Sequence, residues 1–140
     1  MKLQERLEKI EIVKKEYYEI IKDLPELQGS EKQVAWANDL RKKYINAVNE
    51  YIDDGFDKRM LTRIIVVIVA INSMLKNIKD AKFYINNKEE CRYCPDDLAY
   101  TFVSLKVKRP AEYDLSMDYL VDLVRNGTSI DDIKKMLSEK

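Results

Sequence analysis

The side chains that most enzymes use for catalysis are sparse in this sequence. It contains no histidine, which excludes Ser–His and Cys–His nucleophile pairs and every metal site that includes histidine. Its adjacent acidic pairs lie where helices are predicted to begin or end, and capping explains them there. An enzyme would need carboxylates brought together from distant segments, so we predict a protein without catalytic residues, metal or cofactor. The pairs are Asp53-Asp54, Asp96-Asp97 and Asp131-Asp132.

Cys91-Arg92-Tyr93-Cys94 has the spacing of half a zinc ribbon or of a redox motif. A zinc site needs four ligands, and the chain has no further cysteine or histidine, so carboxylates or a second copy would have to complete it. A thioredoxin-like motif would need a βαβ unit, which the sequence does not predict. We interpret Cys91 and Cys94 as reduced thiols in a loop.

Basic side chains could bind another molecule. The 25 basic and 25 acidic residues cancel overall, but residues 56–88 carry seven lysines and arginines against two aspartates. Lys76, Lys79 and Lys82 would form one basic stripe if their helix continues past Asp80, and such a stripe could follow phosphates. The same spacing also fits the solvated side of an amphipathic helix. The candidate partner-binding residues are Trp36, Arg41, Lys42, Lys43, Arg59, Arg63, Lys76, Lys79 and Lys82.

Trp36 is the one tryptophan of the chain. It lies beside Ala37 at the edge of an apolar stripe, so we predict that it belongs to the core. If it is exposed instead, it becomes the first anchor to test at a protein interface, because tryptophan, tyrosine and arginine concentrate binding energy there.

The element that must position these residues is the aliphatic run at residues 64–71, in a chain of which 36% is charged. Its β-branched residues favour a strand. However, Leu61, Ile64, Ile68, Ile71, Leu75 and Ile78 recur at steps of three and four, so we predict a buried central helix over residues 61–78. The run is far shorter than the ~20 residues of a membrane span, and we expect no membrane contact.

Further helices are predicted on both sides of this run. The first covers residues 2–23, and the second begins at the capping box of residues 30–33 and ends at Asp53-Asp54-Gly55, with Arg41 among the residues facing away from its apolar stripe. Asp80 either caps a short fourth helix or lies within a continuing third helix.

The C-terminal third of the chain is less regular in sequence. Residues 87–97 are predicted to form a loop. Residues 98–108 fit either a helix or a short strand or hairpin, because their apolar residues alternate although Asp96-Asp97 could start a helix after Pro95. The chain ends in a helical hairpin that begins near Leu115, and Ser129 caps its second helix.

The 140 residues suffice for one domain, and three glycines and three prolines leave few tight turns. We predict a mainly α fold, a compact single-domain bundle of five to six helices around the central helix 61–78. The first residues lack the apolar region of a signal peptide, so we expect the protein in the cytoplasm.

Two segments combine turn, capping and aromatic residues. Residues 27–41, LQGSEKQVAWANDLR, resemble a box GSxKQxxWAxxIR. Residues 80–88, DAKFYINNK, resemble a box AKFWIDNR, with Tyr84 in place of tryptophan and Lys88 in place of arginine. Both boxes are associated with small proteins of bacterial phages, plasmids and integrative elements. A plain alternative is that such boxes are shared because they pack against one another.

The resemblance implies an origin in a mobile genetic element and a non-enzymatic protein that acts by binding. Our favoured hypothesis is an inhibitor of a bacterial defence system, of the anti-CRISPR type, which binds a host or defence protein such as a CRISPR effector nuclease in the bacterial cytoplasm. The alternative is a nucleic-acid-binding accessory or regulatory protein of a phage or plasmid, which would use Arg41, Lys42, Lys43 and the Lys76, Lys79 and Lys82 stripe.

Overall fold

A computed structural model of the chain describes residues 2–138, which fold into eight α-helices without a strand. The mainly α class is confirmed. The helices outnumber the predicted five to six because residues 81–106 form three helices where that total allows at most one. They are α1 (Leu3–Ile20), α2 (Glu31–Asp53), α3 (Leu61–Asn77), α4 (Ala81–Asn86), α5 (Lys88–Tyr93), α6 (Pro95–Lys106), α7 (Ser116–Arg125) and α8 (Ile130–Ser138), with a 3₁₀ turn at Lys58–Met60.

The predicted central helix is present as α3. Every residue from 61 to 75 is buried except the half-buried Arg63. Helices α1, α6, α7 and α8 all pack against α3. Because its neighbours cover all of its sides, α3 needs no polar face, and this explains why the run at residues 64–71 is apolar throughout.

By length and composition alone, the segment Lys58–Asn77 could also cross a membrane. In this structure 78% of its most apolar stretch is buried inside the molecule. A fully enclosed core helix has the same composition as a membrane span, so this property does not distinguish the two.

Helix α2 packs against α4, α5 and α6, and α6 also packs against α3. Its buried residues follow steps of three and four. Two buried tyrosines form hydrogen bonds that connect α2 to α6 and to α1. The Tyr44 hydroxyl donates a hydrogen bond to the Pro95 carbonyl oxygen (2.8 Å), and the Tyr17 hydroxyl of α1 donates to Oδ1 of Asn49 (2.7 Å).

The predicted loop at residues 87–97 is wrong, since it contains α5 and the start of α6. Residues 98–108, left open between helix and strand, are mostly helical. Pro95 occupies the first turn of α6, where its missing N–H is not needed, and Asp96 and Asp97 follow it there. The alternation of apolar residues that suggested a strand does not match the buried face. Leu105, which belongs to it, is 68% exposed, whereas Phe102, which does not, is fully buried.

The ends of the chain follow the sequence more closely. Helix α1 stops at Ile20, three residues short of the predicted end. The two predicted C-terminal helices are present as α7 and α8, but both pack against α3 and α6 rather than pairing with each other as a hairpin. The Ser129 hydroxyl accepts a hydrogen bond from the Asp132 N–H (3.1 Å), as expected of a cap.

Candidate functional site

The two box segments meet in one joint between α2 and α4. The Gln28 N–H donates to the Lys79 carbonyl (2.6 Å), and the Ala81 N–H donates to the Gln28 carbonyl (2.9 Å). A Cβ on Gly29 would lie 3.3 Å from the Ala81 Cβ, which is closer than such atoms normally approach. The close packing of Gly29 against Ala81 therefore explains why small residues occupy these two positions of the boxes.

The same joint fixes the start of α2. The Ser30 hydroxyl accepts from the Gln33 N–H (3.2 Å), while the Gln33 side chain accepts from the Ser30 N–H (3.0 Å). The predicted capping box is thus confirmed. It sets the rotational phase of α2, and with it the direction in which Trp36 points.

The joint also interrupts the expected basic stripe. Helix α3 ends at Asn77, and Asp80 caps α4 by accepting a hydrogen bond from the Lys82 N–H (2.9 Å). Lys76 therefore lies on α3, Lys79 in the connection and Lys82 on α4. A single stripe along one continuing helix is wrong, because the chain leaves the helical path to pair with Gln28.

Lys76 and Lys79 also have acidic surroundings. They line one surface groove together with three carboxylate side chains of α1 and the turn that follows it, namely Glu16, Glu19 and Asp23. These carboxylates reduce the positive potential that a phosphate would meet at this groove.

The three arginines among the candidates make contacts within the fold. Arg63 is half-buried and pairs with Asp118 (2.6 Å), which joins α3 to α7. Arg59 is exposed and pairs with its neighbour Asp57 (2.9 Å). Arg41 was expected to face solvent but is only 8% exposed, because it turns towards the segment before α2 and donates to the Pro25 carbonyl (2.8 Å).

Trp36 is 45% exposed, so its predicted place in the core is wrong. Ala37, its neighbour in sequence, is fully buried. One residue step turns an α-helix by about 100°, which carries the indole away from the buried stripe. This is the condition under which the sequence marks Trp36 as an anchor for a partner.

Three charged residues lie on the same side of α2 as Trp36. Lys32, Asp39 and Lys43 stand four positions before, three after and seven after it, and all three are exposed. Lys43 pairs with Asp39 at 3.0 Å. We call this set, Lys32, Trp36, Asp39 and Lys43, the Trp36 surface.

The structure thus brings Trp36 and Lys43 together among the candidates, while Lys42 is exposed on another side of α2. Lys32 and Asp39 are not among the partner-binding residues predicted from the sequence. Their helical spacing from Trp36 is the signal that could have identified them.

The two cysteines lie at the end of α5 and just after it. Cys91 is buried, and burial raises the pKa of its thiol to about 12. The Cys94 thiol has a raised pKa too, chiefly because of its hydrogen bond with Asp97. Both thiols are therefore protonated at neutral pH, which disfavours nucleophilic attack and metal binding.

The acidic pairs occupy the expected helix ends. Asp53 and Asp54 lie at the end of α2, and the other two pairs lie in the first turns of α6 and α8. Within residues 2–138, no three cysteine, aspartate or glutamate side chains are grouped so that they could hold a metal ion.

No protein-family model, curated protein or solved structure matches this chain.

Proposed function

We propose that this protein acts by binding a protein partner through the Trp36 surface. We further propose that it is a non-enzymatic protein of a mobile genetic element whose partner belongs to a bacterial defence system, in the manner of an anti-CRISPR inhibitor. The observation that supports this proposal is the exposure of the one tryptophan, at 45%, at the edge of the buried stripe of α2.

An exposed indole leaves a large apolar ring in contact with water, and a partner that covers it gains the corresponding hydrophobic free energy. The charged side chains around Trp36 resemble the polar rim of an interface, while the indole supplies its apolar centre. Helix α2 is capped and packed along its length, so the surface is formed before binding. Little conformational entropy would then be lost on association.

The test is an affinity capture from a bacterial lysate with a tagged protein, in which half of the lysate is treated with nuclease. We expect a defence protein, such as a CRISPR effector nuclease, to be retained after nuclease treatment. Trp36→Ala should weaken that retention by at least about tenfold, as is typical of an anchoring tryptophan. Circular dichroism should show an unchanged helix content, because Trp36 lies outside the core.

Tyr93→Ala is the matched control, since Tyr93 is 73% exposed on a different helix. It should leave retention unchanged. The proposal fails if the purified protein neither binds nor inhibits a defence component, or if the Trp36 and Tyr93 variants behave alike.

The alternative function, nucleic-acid binding, has its own outcome in this experiment. Lys42, Lys43 and Lys82 remain exposed and could contact phosphates. In that case recovery would collapse to nucleic acid that washes off with salt, with a log–log slope of about −0.9 per phosphate contacted on duplex DNA. Binding that is absent or insensitive to salt excludes this alternative.

A further inference from the structure

A cavity of about 380 Å³ lies between α2 and the segment that precedes it, with Arg41 in its lining. Leu24, Pro25, Leu27 and Val34 also line it, but most of the accessible surface of the cavity is polar, and Asn38 lies beside Arg41. Glu26, an exposed residue, also lines the cavity. The volume is within the range of cavities that take up a ligand or a partner's side chain.

Arg41 is the one charged side chain that is buried among residues 2–138. Its guanidinium donates to the Pro25 carbonyl (2.8 Å) and to Oδ1 of Asn38 (3.2 Å), and both acceptors are neutral. It takes part in none of the ion pairs formed within residues 2–138, unlike the half-buried Arg63 with Asp118.

A buried cation with neutral partners alone is unfavourable, because it has lost water without gaining an opposite charge. Burial accordingly lowers the pKa of Arg41, although a guanidinium stays charged at any physiological pH. The neutral Tyr84 hydroxyl also lies beside the guanidinium and partly offsets the lowering of the Arg41 pKa. Five N–H groups are available on the guanidinium, more than these three neutral oxygens need, so an anion could bind as well.

We propose that this cavity is a carboxylate-binding pocket that receives an aspartate or glutamate side chain of the protein partner. The guanidinium fork matches a carboxylate, with which it forms two parallel hydrogen bonds. The acidic Glu26 in the lining favours a singly charged carboxylate over a doubly charged phosphate, because it repels the larger negative charge more strongly. The identity of the occupant as part of a partner protein rests on the function proposed above.

The pocket can be tested without the partner, using two short peptides as probes: N-acetyl-Leu-Glu-Leu-amide and the same peptide with glutamine in place of glutamate. Binding is followed through the NMR signal of the Arg41 side-chain Nε–H. We expect the glutamate peptide to shift this signal saturably and to bind at least about tenfold more tightly than the glutamine peptide. Equal binding of the two peptides, or no shift with either, overturns the proposal.

Arg41→Lys is a poor first variant, because it also removes the contacts with Pro25 and Asn38 that hold the fold. Two variants avoid this problem. Val34→Phe should fill the cavity and abolish binding of the glutamate peptide. Glu26→Gln should strengthen that binding a few-fold at low salt, because it removes a repelling carboxylate. A purely structural Arg41 predicts no effect of Glu26→Gln on peptide binding.

The failures of the two proposals are distinguishable. If Trp36→Ala abolishes capture of a partner while Val34→Phe leaves it intact, the Trp36 surface acts and the pocket is not used. If the glutamate peptide binds but no partner is captured, the pocket stands and the proposed function fails.

Discussion

At the scale of single residues, the hydroxyl of Tyr17 forms a hydrogen bond with another helix, and that of its neighbour Tyr18 does not. Tyr17 is fully buried and donates to Oδ1 of Asn49 at 2.7 Å, whereas Tyr18 is 37% exposed. We expect Tyr17→Phe to lower the free energy of unfolding by about 1 kcal/mol, because a partly buried hydrogen bond between α1 and α2 is lost. Tyr18→Phe is the control and should stay within about 0.5 kcal/mol. Urea unfolding followed by circular dichroism measures both, and equal effects would contradict the assignment.

Single residues are also where the sequence predicts least. The stripe of α2 correctly marks Ala37 as buried, but the place of Trp36 beside it, at the edge of that stripe, suggested a core position that the indole does not have. Arg41 was placed on the solvated side because its position lies outside the apolar stripe predicted for α2. Its burial depends on the Pro25 carbonyl, which lies sixteen positions earlier and which no local pattern connects to it. Contacts across such distances in sequence are set by the tertiary fold.

At the scale of elements, the joint between α2 and α4 depends on Gly29. Its φ of +152° is rarely adopted by other residues, and an added Cβ would lie 3.0 Å from Oε1 of Gln33 and 3.3 Å from the Ala81 Cβ. Gly127 also has a positive φ, of +102°, but nothing would lie within 4 Å of its Cβ. An alanine at either position would strain the backbone, but only an alanine at position 29 would also be crowded by neighbouring atoms.

We expect Gly127→Ala to cost about 1–2 kcal/mol of unfolding free energy from backbone strain. Gly29→Ala should cost roughly 1 kcal/mol more, because the joint must open to admit the methyl group. Urea unfolding of the two variants measures the difference. If Gly127→Ala lowers the free energy of unfolding as much as Gly29→Ala or more, the close approach at Gly29 does not contribute to stability.

Elements were predictable where one strong local signal decided them. The capping box fixed the start of α2, and Ser129 fixed that of α8. The stretch from residue 87 to 108 offered competing signals: polar residues and Pro95 suggested a loop, and alternating apolar residues suggested a strand. Packing decided it, since a helix lets Leu98, Ala99, Phe102 and Val103 face the core together.

At the scale of the whole molecule, the core contains weak acids that must stay protonated. Burial is the main cause of the raised pKa of Tyr17, Tyr44, Tyr51, Tyr84 and Cys91. The pKa of Tyr51 rises from 10.0 to about 12, and that of Cys91 from 9.0 to about 12. These groups occur on α1, α2, α4 and α5, so the effect is shared by most of the layer around α2.

A pKa that is higher in the folded than in the unfolded chain means that the folded state keeps a proton which the unfolded state releases. Its contribution is therefore complete below about pH 9 and is lost as pH rises towards 12. We expect the urea midpoint to fall steeply above about pH 9. Each group lowers the free energy of unfolding by up to about 1.4 kcal/mol per pH unit in this range. Tyr51→Phe should flatten this fall, whereas Tyr93→Phe, at an exposed site, should not. If the midpoint is unchanged at about pH 11, these groups lose their protons as readily in the folded as in the unfolded chain, and their pKa values are not raised by folding.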